Sequence, residues 1–238
     1  MCPFACCLYA GYATIGEQTL KRYEAVIFDW DGTLMDSTYS IVESIQLASA
    51  DLGLPVPSTL QASWIIGLSL ESGLYKAVPD LTAETMPHFL ERYRHHFFQR
   101  DSSIKMFDGA LAMLDQLRER SIPISVATGK SRIGLDRVLK VVGLEDYFNT
   151  TRCADETKSK PDPQMLHEIM WELDLKPERV LMVGDTTHDI YMAHNAGMDC
   201  LAVAYGAHDI PTIVKSEPTE IVSSVTEMED WIFNRLVE

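Results

Sequence analysis

The chain has 238 residues, of which 46% are hydrophobic and 23% are charged, and its formal net charge is −15. A chain of this length can bury a sizeable core, in one large domain or in two smaller ones, and the composition is typical of a soluble globular protein. The strong negative charge argues against nucleic acid or an anionic membrane as a partner. No apolar run reaches the length of a transmembrane helix.

Residues 1–22 are predicted to form an N-terminal extension. The start of this segment is apolar but lacks the basic region of a secretion signal. A short zinc site at Cys2, Cys6 and Cys7 is an open alternative, although no spaced Cys or His partner follows. The five cysteines of the chain form no recognisable disulfide framework, which favours a reducing compartment and predicts a cytoplasmic protein.

From residue 23 onward, apolar runs with the character of strands alternate with helical patterns. The strands are predicted at Ala25–Phe28, Ile122–Ala127, Asn149–Cys153, Val180–Val183, Leu201–Ala204 and Glu220–Ser223. The helices are predicted at Ile133–Val142, Pro163–Leu173, Ile190–Ala196 and Met228–Leu236, with one more whose shared face carries Leu111, Leu114 and Leu117. This alternation predicts an α/β protein whose parallel sheet is covered by helices on both faces.

One segment breaks the alternation, because residues 37–104 contain no convincing strand. Ile41, Ile45 and Ala48 have the spacing of one helix face. Further helices are predicted at Trp64–Leu68, Leu70–Lys76 and Thr85–Phe98. We interpret residues 37–104 as an α-helical cap domain, inserted into a core domain made of residues 23–36 and 105–238.

The strongest chemical signal is Asp29-Trp30-Asp31-Gly32-Thr33, which directly follows the first predicted strand. Ionised carboxylates near a core must be paired, hydrogen-bonded or bound to a metal. Because Gly32 lets the backbone turn sharply, Asp29 can serve as a nucleophile and Asp31 as a proton donor and acceptor beside it. This arrangement is typical of phosphoryl transfer through an aspartyl-phosphate.

Other candidate residues follow the later strands. Ligands of an open parallel sheet bind at the carboxyl ends of its strands. Thr128 and Gly129 follow the second predicted strand and offer a hydroxyl and free backbone N–H groups, which suit phosphate oxygens. Gly184 and Asp185 follow the strand at Val180–Val183, and Asp189 comes four residues after Asp185.

Lys160 lies in a loop stiffened by two prolines and is a candidate to neutralise a bound phosphoryl group. Oxygens from Asp29, Asp185 and the backbone carbonyl of Asp31 suit Mg²⁺, which takes few protein carboxylates. Each feature alone has a purely structural explanation, such as a turn, a helix cap or a surface charge. Their occurrence in order, each at a strand end or a helix start, favours a single site.

This set of motifs resembles the haloacid dehalogenase-like hydrolase superfamily, from about residue 23 to near the end of the chain. The resemblance rests on Asp29 to Thr33, Thr128, Lys160, and Gly184-Asp185 with Asp189. The helical insertion resembles the one found in the branch that includes phosphoglycolate phosphatases and β-phosphoglucomutases. The resemblance implies a Rossmann-like core, a mobile cap and Mg²⁺ as the cofactor.

The resemblance also implies a role for each residue. Asp29 would be the nucleophile and a metal ligand, and Asp31 the general acid and base. Thr128 would bind the transferring phosphoryl group, and Lys160 would neutralise charge on it and on Asp29. Asp185 would bind the metal, and a further aspartate, Asp189, would orient metal-bound water or Lys160.

The resulting hypothesis is a magnesium-dependent phosphatase that acts on a small phosphorylated metabolite. Phosphoglycolate or a sugar phosphate is the substrate class that the resemblance implies. A phosphomutase would use the same residues, and a non-catalytic binding protein on the same fold is a third possibility. A nucleotide P-loop ending at Gly129-Lys130-Ser131 is excluded, because its first glycine would fall at Ile124.

Four further features leave two interpretations open. His188 is expected on the surface, with contact to substrate as the alternative. Lys130 and Arg132 are either solvated charges or contacts for a second anionic group of the substrate. The segment Gly67-Leu68-Ser69 is either a loop that reaches the site or a plain helix break.

Overall fold

The computed structural model describes residues 22–100 and 104–237. The proposed extension up to residue 21, with Cys2, Cys6 and Cys7, lies outside the described residues. The strands within them are β1 Ala25–Phe28, β2 Ile124–Thr128, β3 Thr150–Cys153, β4 Val180–Gly184, β5 Asp199–Val203 and β6 Glu220–Val222. The helices are α1 Thr38–Asp51, α2 Thr59–Trp64, α3 Leu70–Ala77, α4 Met86–Arg100, α5 Ala110–Glu119, α6 Arg132–Val142, α7 Gln164–Leu173, α8 Thr187–Asn195, α9 Ile210–Lys215 and α10 Val225–Phe233.

The six strands form one parallel sheet with the order β3-β2-β1-β4-β5-β6. Apolar clusters cover both of its faces, one containing Phe28 and Leu114 and the other containing Ile27 and Met165. The predicted α/β fold is therefore confirmed. Because β1 lies between β2 and β4, the residue after β1 has a neighbouring strand end on each side.

Helices α1 to α4, which we call the α1–α4 unit, enclose an apolar cluster of their own. Ile45, Ala62, Leu74 and Phe89 are completely buried in it. Between residues 37 and 100 the structure contains helices and turns and no strand. In the described parts of the chain, none of the helices combines the length and the apolar character that a membrane span needs.

Two details of the helix predictions are wrong. No helix covers Trp64–Leu68: α2 ends at Trp64 and turns follow, because Gly67 adopts a φ of +93°, which a right-handed helix cannot accommodate. Leu111 is 42% exposed and does not share the buried face of α5. Met113 takes its place beside Leu114 and Leu117, because the sheet covers a different set of positions from the one that the leucines alone indicate.

Phe28 provides a test of this packing, since its side chain is fully buried in the central strand. Phe28→Ala should destabilise the protein by about 3–5 kcal/mol, because it removes apolar contacts and leaves a cavity. As a control, Ile133→Ala changes a side chain that is 81% exposed and should shift the free energy of unfolding by less than about 0.5 kcal/mol. Chemical denaturation measures both values. Equal effects of the two substitutions would contradict the central position of β1.

Candidate active site

The carboxyl ends of three neighbouring strands bring the predicted site residues to one edge of the sheet. Asp29 follows β1, Thr128 ends β2 and Asp185 follows β4. All three side chains are buried. Thr128 Oγ1 accepts the backbone N–H of Lys130 at 3.2 Å, which fixes the turn that carries Gly129.

Lys160 occupies the centre of this edge. The residue is 2% exposed, and its Nζ donates to Asp29 Oδ1 and to Asp189 Oδ1, each at 2.7 Å. Lys160 lies in the loop before α7, and the peptide bond between Lys160 and Pro161 is cis. Lys160 is therefore no surface charge, because both of its acceptors lie at the buried carboxyl edge.

Three buried carboxylates lie together at this edge, and two of them, Asp29 and Asp189, contact the single ammonium of Lys160. Oxygens of Asp29, Asp185 and Asp189 lie within 4.8 Å of one another. Lys160 compensates one negative charge and leaves two, a costly arrangement unless a cation or protons are added. Asp29 Oδ2 has no hydrogen-bond partner among the described residues although it is buried. An oxygen-only donor set with an unpartnered carboxylate oxygen fits a bound Mg²⁺.

The three carboxylates differ in how their oxygens are used. Asp189 is fully engaged, since Oδ1 accepts Lys160 and Oδ2 accepts the backbone N–H and the hydroxyl of Thr186 at 3.1 and 2.7 Å. Asp185 receives one hydrogen bond on each oxygen, from Thr33 Oγ1 at 2.9 Å and from the backbone N–H of Ala207 at 2.7 Å. Asp29 keeps one oxygen free. Asp189 therefore holds Lys160 with both of its own oxygens hydrogen-bonded, whereas Asp29 has one oxygen without a hydrogen-bond partner in the described part of the chain.

The turn after β1 passes directly over Asp185. Gly32 has a φ of +81°, and a Cβ at this position would overlap the Asp185 carboxylate. Gly32 is therefore required both for its left-handed conformation and for its lack of a side chain. The hydroxyl of Thr33, one residue later, then reaches Asp185.

The buried charges shift one another's protonation. Burial raises the pKa of Asp29 to about 7, and the ion pair with Lys160 only partly opposes this rise. Burial, together with the charges of Asp29 and Asp189, holds the pKa of Asp185 well above its usual range. Burial alone would lower the pKa of Lys160, but Asp189 and Asp29 together raise it. Without a cation, the site therefore retains protons on its aspartates near neutral pH.

Asp31 lies in a different environment from Asp29. Its Oδ1 accepts the hydroxyl of Ser37 at 2.5 Å, and its Oδ2 forms an ion pair with Lys130 Nζ at 2.9 Å. Lys130 thus belongs to the site and is not a solvated charge. Arg132 is directed elsewhere, to Glu156 and Thr151.

A segment of the α1–α4 unit packs against this edge. The backbone oxygens of Gly67 and Leu68 lie so close to Gly129 that a Cβ there would overlap them, and the N–H of Ser69 donates to Ser159 Oγ at 2.9 Å. Of the two interpretations of Gly67-Leu68-Ser69, the structure supports a loop that reaches the site.

Two histidines beside this loop were not recognised correctly from the sequence. His188 is 7% exposed, so the expectation of a surface position is wrong, because the end of α2 covers it. His208, also buried, follows β5 together with Ala207. The rule that sites form at strand ends could have found His208 and Ala207, had it been extended to β5.

Comparisons with known proteins identify the family. The sequence model of the haloacid dehalogenase-like hydrolases matches residues 26–203. The chain therefore belongs to the haloacid dehalogenase-like hydrolase family. It is therefore a hydrolase of this family, and its six-stranded parallel sheet is the Rossmann-like core that the resemblance implied.

Several relatives illustrate the range within the family. The chain is 28% identical to a phosphoglycolate phosphatase of Yersinia pestis, over 87% of this chain and 92% of that protein. It is 32% identical to the "Probable phosphatase IndB" of Dickeya dadantii, over 85% and 90%. It is also 31% identical to the "Tyrosine-protein kinase PtkA" of Mycobacterium bovis, over 85% and 69%.

Solved structures share the fold. The crystal structure of a predicted phosphoglycolate phosphatase from Haemophilus somnus superposes with a TM-score of 0.78 at 24% identity, covering 88% of this chain and 97% of that one. At this identity the comparison establishes the fold, while the chemistry has to be argued from the site itself.

The raised pKa of Asp29 predicts how stability depends on pH in the absence of divalent cations. Between about pH 4 and 7 the folded protein keeps a proton on Asp29 that the unfolded chain has lost. The stabilisation that this proton gives to the folded state is complete below about pH 4 and is lost as the pH rises through 7. Asp29→Asn should therefore become progressively more stable than the natural protein over this interval. Thermal unfolding in chelator from pH 4 to 8 measures the difference.

Asp80→Asn changes an exposed carboxylate and serves as the control, with no such trend expected. Added Mg²⁺ should narrow the difference at pH 8, because a cation then replaces the proton. A difference between the natural protein and Asp29→Asn that does not vary with pH would contradict the electrostatic description of the site.

Proposed function

We propose that this protein is a magnesium-dependent phosphatase that hydrolyses a small phosphomonoester through an aspartyl-phosphate on Asp29. One observation carries the proposal. A buried carboxylate oxygen of Asp29 has no partner, while the other oxygen is held by Lys160 at 2.7 Å. Such an oxygen is oriented and free to attack, and the neighbouring ammonium can compensate the charge of an incoming phosphoryl group.

In the first step, Asp29 Oδ2 attacks phosphorus and the bond between phosphorus and the leaving oxygen breaks. Asp31 gives its proton to that leaving oxygen. Thr128 and the backbone N–H groups at Gly129 bind the phosphoryl oxygens, and Lys160 neutralises charge on them. In the second step, Asp31 takes a proton from water, whose oxygen attacks phosphorus and releases Asp29 and inorganic phosphate.

Asp29, Asp185 and the backbone carbonyl of Asp31 would hold Mg²⁺, and Asp189 would orient Lys160 or metal-bound water. The cation supplies positive charge for the phosphoryl oxygens and for the carboxylates that surround them. Two uncompensated negative charges in the triad of Asp29, Asp185 and Asp189 support this assignment. The separate apolar cluster of the α1–α4 unit supports our division into a cap of residues 37–104 and a core of residues 23–36 and 105–238.

For the substrate we propose phosphoglycolate or a sugar phosphate of similar size. Relatives named phosphoglycolate phosphatase support this class, and the close approach of Gly67 and Leu68 to Gly129 leaves little room above the phosphoryl site. We further propose that the protein works in the cytoplasm, since its two described cysteines, Cys153 and Cys200, are both free thiols.

Substitutions at the two aspartates after β1 test the covalent step. Asp29→Asn keeps the size of the side chain and removes the attacking charge, so kcat should fall by several orders of magnitude. Asp31→Asn should slow leaving-group protonation and hydrolysis by about 10²–10⁴-fold. With acetyl phosphate, whose leaving group needs no proton donor, Asp31→Asn should accumulate phosphorylated protein, and Asp29→Asn should not.

Phosphate release from a panel of phosphate esters, together with the mass of acid-quenched protein, gives both readouts. Near-normal turnover by Asp29→Asn would exclude this mechanism. Transfer of the phosphoryl group to a hydroxyl acceptor in preference to water would contradict hydrolysis and favour a mutase or a kinase.

Metal dependence gives an independent test. Chelation of divalent cations should abolish phosphatase activity and Mg²⁺ should restore it, because the triad then carries uncompensated charge beside an anionic substrate. Asp185→Asn should raise the Mg²⁺ concentration needed for half-maximal activity, whereas the control Asp80→Asn should not. Full activity in excess chelator would contradict the metal assignment.

A further inference from the structure

Helix α2 ends in an unusual hydrogen-bond arrangement. The last carbonyl groups of a helix have no partner within it and must find one elsewhere. The carbonyl oxygen of Trp64, the last residue of α2, lies 2.8 Å from His188 Nε2 and 3.1 Å from His208 Nε2. Both histidines are buried in the core, on α8 and after β5. One carbonyl of the α1–α4 unit is thus held by two imidazoles that come from two different core elements.

The surrounding contacts define which ring nitrogens carry protons. The backbone N–H of Thr187 donates to His208 Nδ1 at 3.1 Å, so Nδ1 is an acceptor and the proton resides on Nε2, facing the Trp64 carbonyl. For His188, the same carbonyl requires a proton on Nε2. The indole of Trp64 also stacks on the His208 ring, with centroids 4.5 Å apart and planes at 4°. The two histidines therefore contact Trp64 in two ways. Both donate an N–H to its carbonyl oxygen, and the face of the His208 ring stacks on its indole.

The position of this contact gives it a consequence for the site. Three residues after Trp64, the backbone of Gly67 and Leu68 lies against Gly129. The N–H of Ser69 then donates to Ser159, one residue before Lys160 in the chain. Fixing the Trp64 carbonyl thus fixes the start of the loop that covers the phosphoryl site.

We propose that His188 and His208 are positioning residues, which hold residues 64–69 over the phosphoryl site by hydrogen-bonding to the Trp64 carbonyl oxygen. We call these two hydrogen bonds the clasp. This inference rests on the proposed phosphatase function only for its kinetic consequence. The histidines act through the loop and do not touch the reacting atoms. Because the loop covers the phosphoryl site itself, weakening the clasp lowers kcat/KM by a similar factor for every phosphate ester.

Three substitutions of His208 separate its contacts. His208→Phe keeps a flat ring against Trp64 and loses both hydrogen bonds. His208→Gln places an amide N–H where Nε2 lies and restores the bond to Trp64, whereas His208→Asn reaches only the position of Nδ1 and the Thr187 N–H. We expect kcat/KM to fall about tenfold in His208→Phe and His208→Asn, and to recover to within about threefold in His208→Gln.

Amide hydrogen exchange of the segment 64–69 measures the clasp without substrate. Exchange should be faster in His208→Phe and His208→Asn than in the natural protein, and should return toward the natural rate in His208→Gln. His194→Gln, which changes an exposed histidine on α8, is the matched control and should change neither exchange nor kinetics. Should His208→Phe fail to fold, His188→Gln and His188→Asn form a second matched pair with the same expected order.

The two readouts separate failure of this inference from failure of the proposed function. If the protein hydrolyses no phosphomonoester, the proposed function is refuted. If exchange protection of the segment 64–69 is nevertheless lost in His208→Phe and regained in His208→Gln, the clasp still stands. Equal protection of the segment 64–69 in all His208 variants would overturn the clasp. So would a loss of thermal stability in His208→Phe that His208→Gln does not relieve, with kcat/KM following stability in all variants, since this is the behaviour of a merely structural contact.

Discussion

One buried ammonium among three buried carboxylates is the interaction on which this structure depends. Taking such charges out of water is expensive, and the cost is recovered only when each group has partners with good geometry. Lys160 has two such partners, but Asp29 and Asp185 are left with more negative charge than it can balance. The edge of the sheet is therefore stable only with added protons or a cation. This same excess of negative charge suits the edge to binding a divalent cation, which can in turn attract an anionic group.

The surroundings of Asp29 and Asp31 make two like residues chemically different. Asp29 is enclosed, paired with Lys160 on one oxygen and free on the other. Asp31 lies between the hydroxyl of Ser37 and the ammonium of Lys130. Two carboxylates in contrasting environments are a common basis for separate nucleophilic and acid–base roles. The ion pair with Lys130 also links Asp31 to the turn that carries Gly129.

Much of this site could be predicted from the sequence because the chemistry follows the ends of strands. Asp29, Thr128 and Asp185 each come directly after an apolar run, and the parallel sheet brings such positions together. The pairing of Lys160 with Asp189 is harder to predict from the sequence, because it depends on the path of the loop before α7. The helical periodicity predicts that α8 begins at Ile190. The helix begins at Thr187, where Thr186 and Asp189 form a capping box.

The contact between Trp64 and His208 lies beyond any such rule. The two residues are 144 positions apart, and the acceptor is a backbone carbonyl, which every residue possesses. No residue type marks it in the sequence. The exposed position of Leu111 has a similar origin, because the sheet decides which face of α5 is covered. Long-range packing thus sets the details that local patterns leave open.

The most direct test of the charge imbalance is a calorimetric titration of the metal-free protein with Mg²⁺ at pH 7, repeated in two buffers with different heats of ionisation. The account predicts one cation bound per chain with release of protons, because the cation replaces protons held by Asp29 and Asp185. Asp185→Asn should bind much more weakly. The absence of binding by the natural protein, or binding that Asp185→Asn leaves unchanged, would contradict the account.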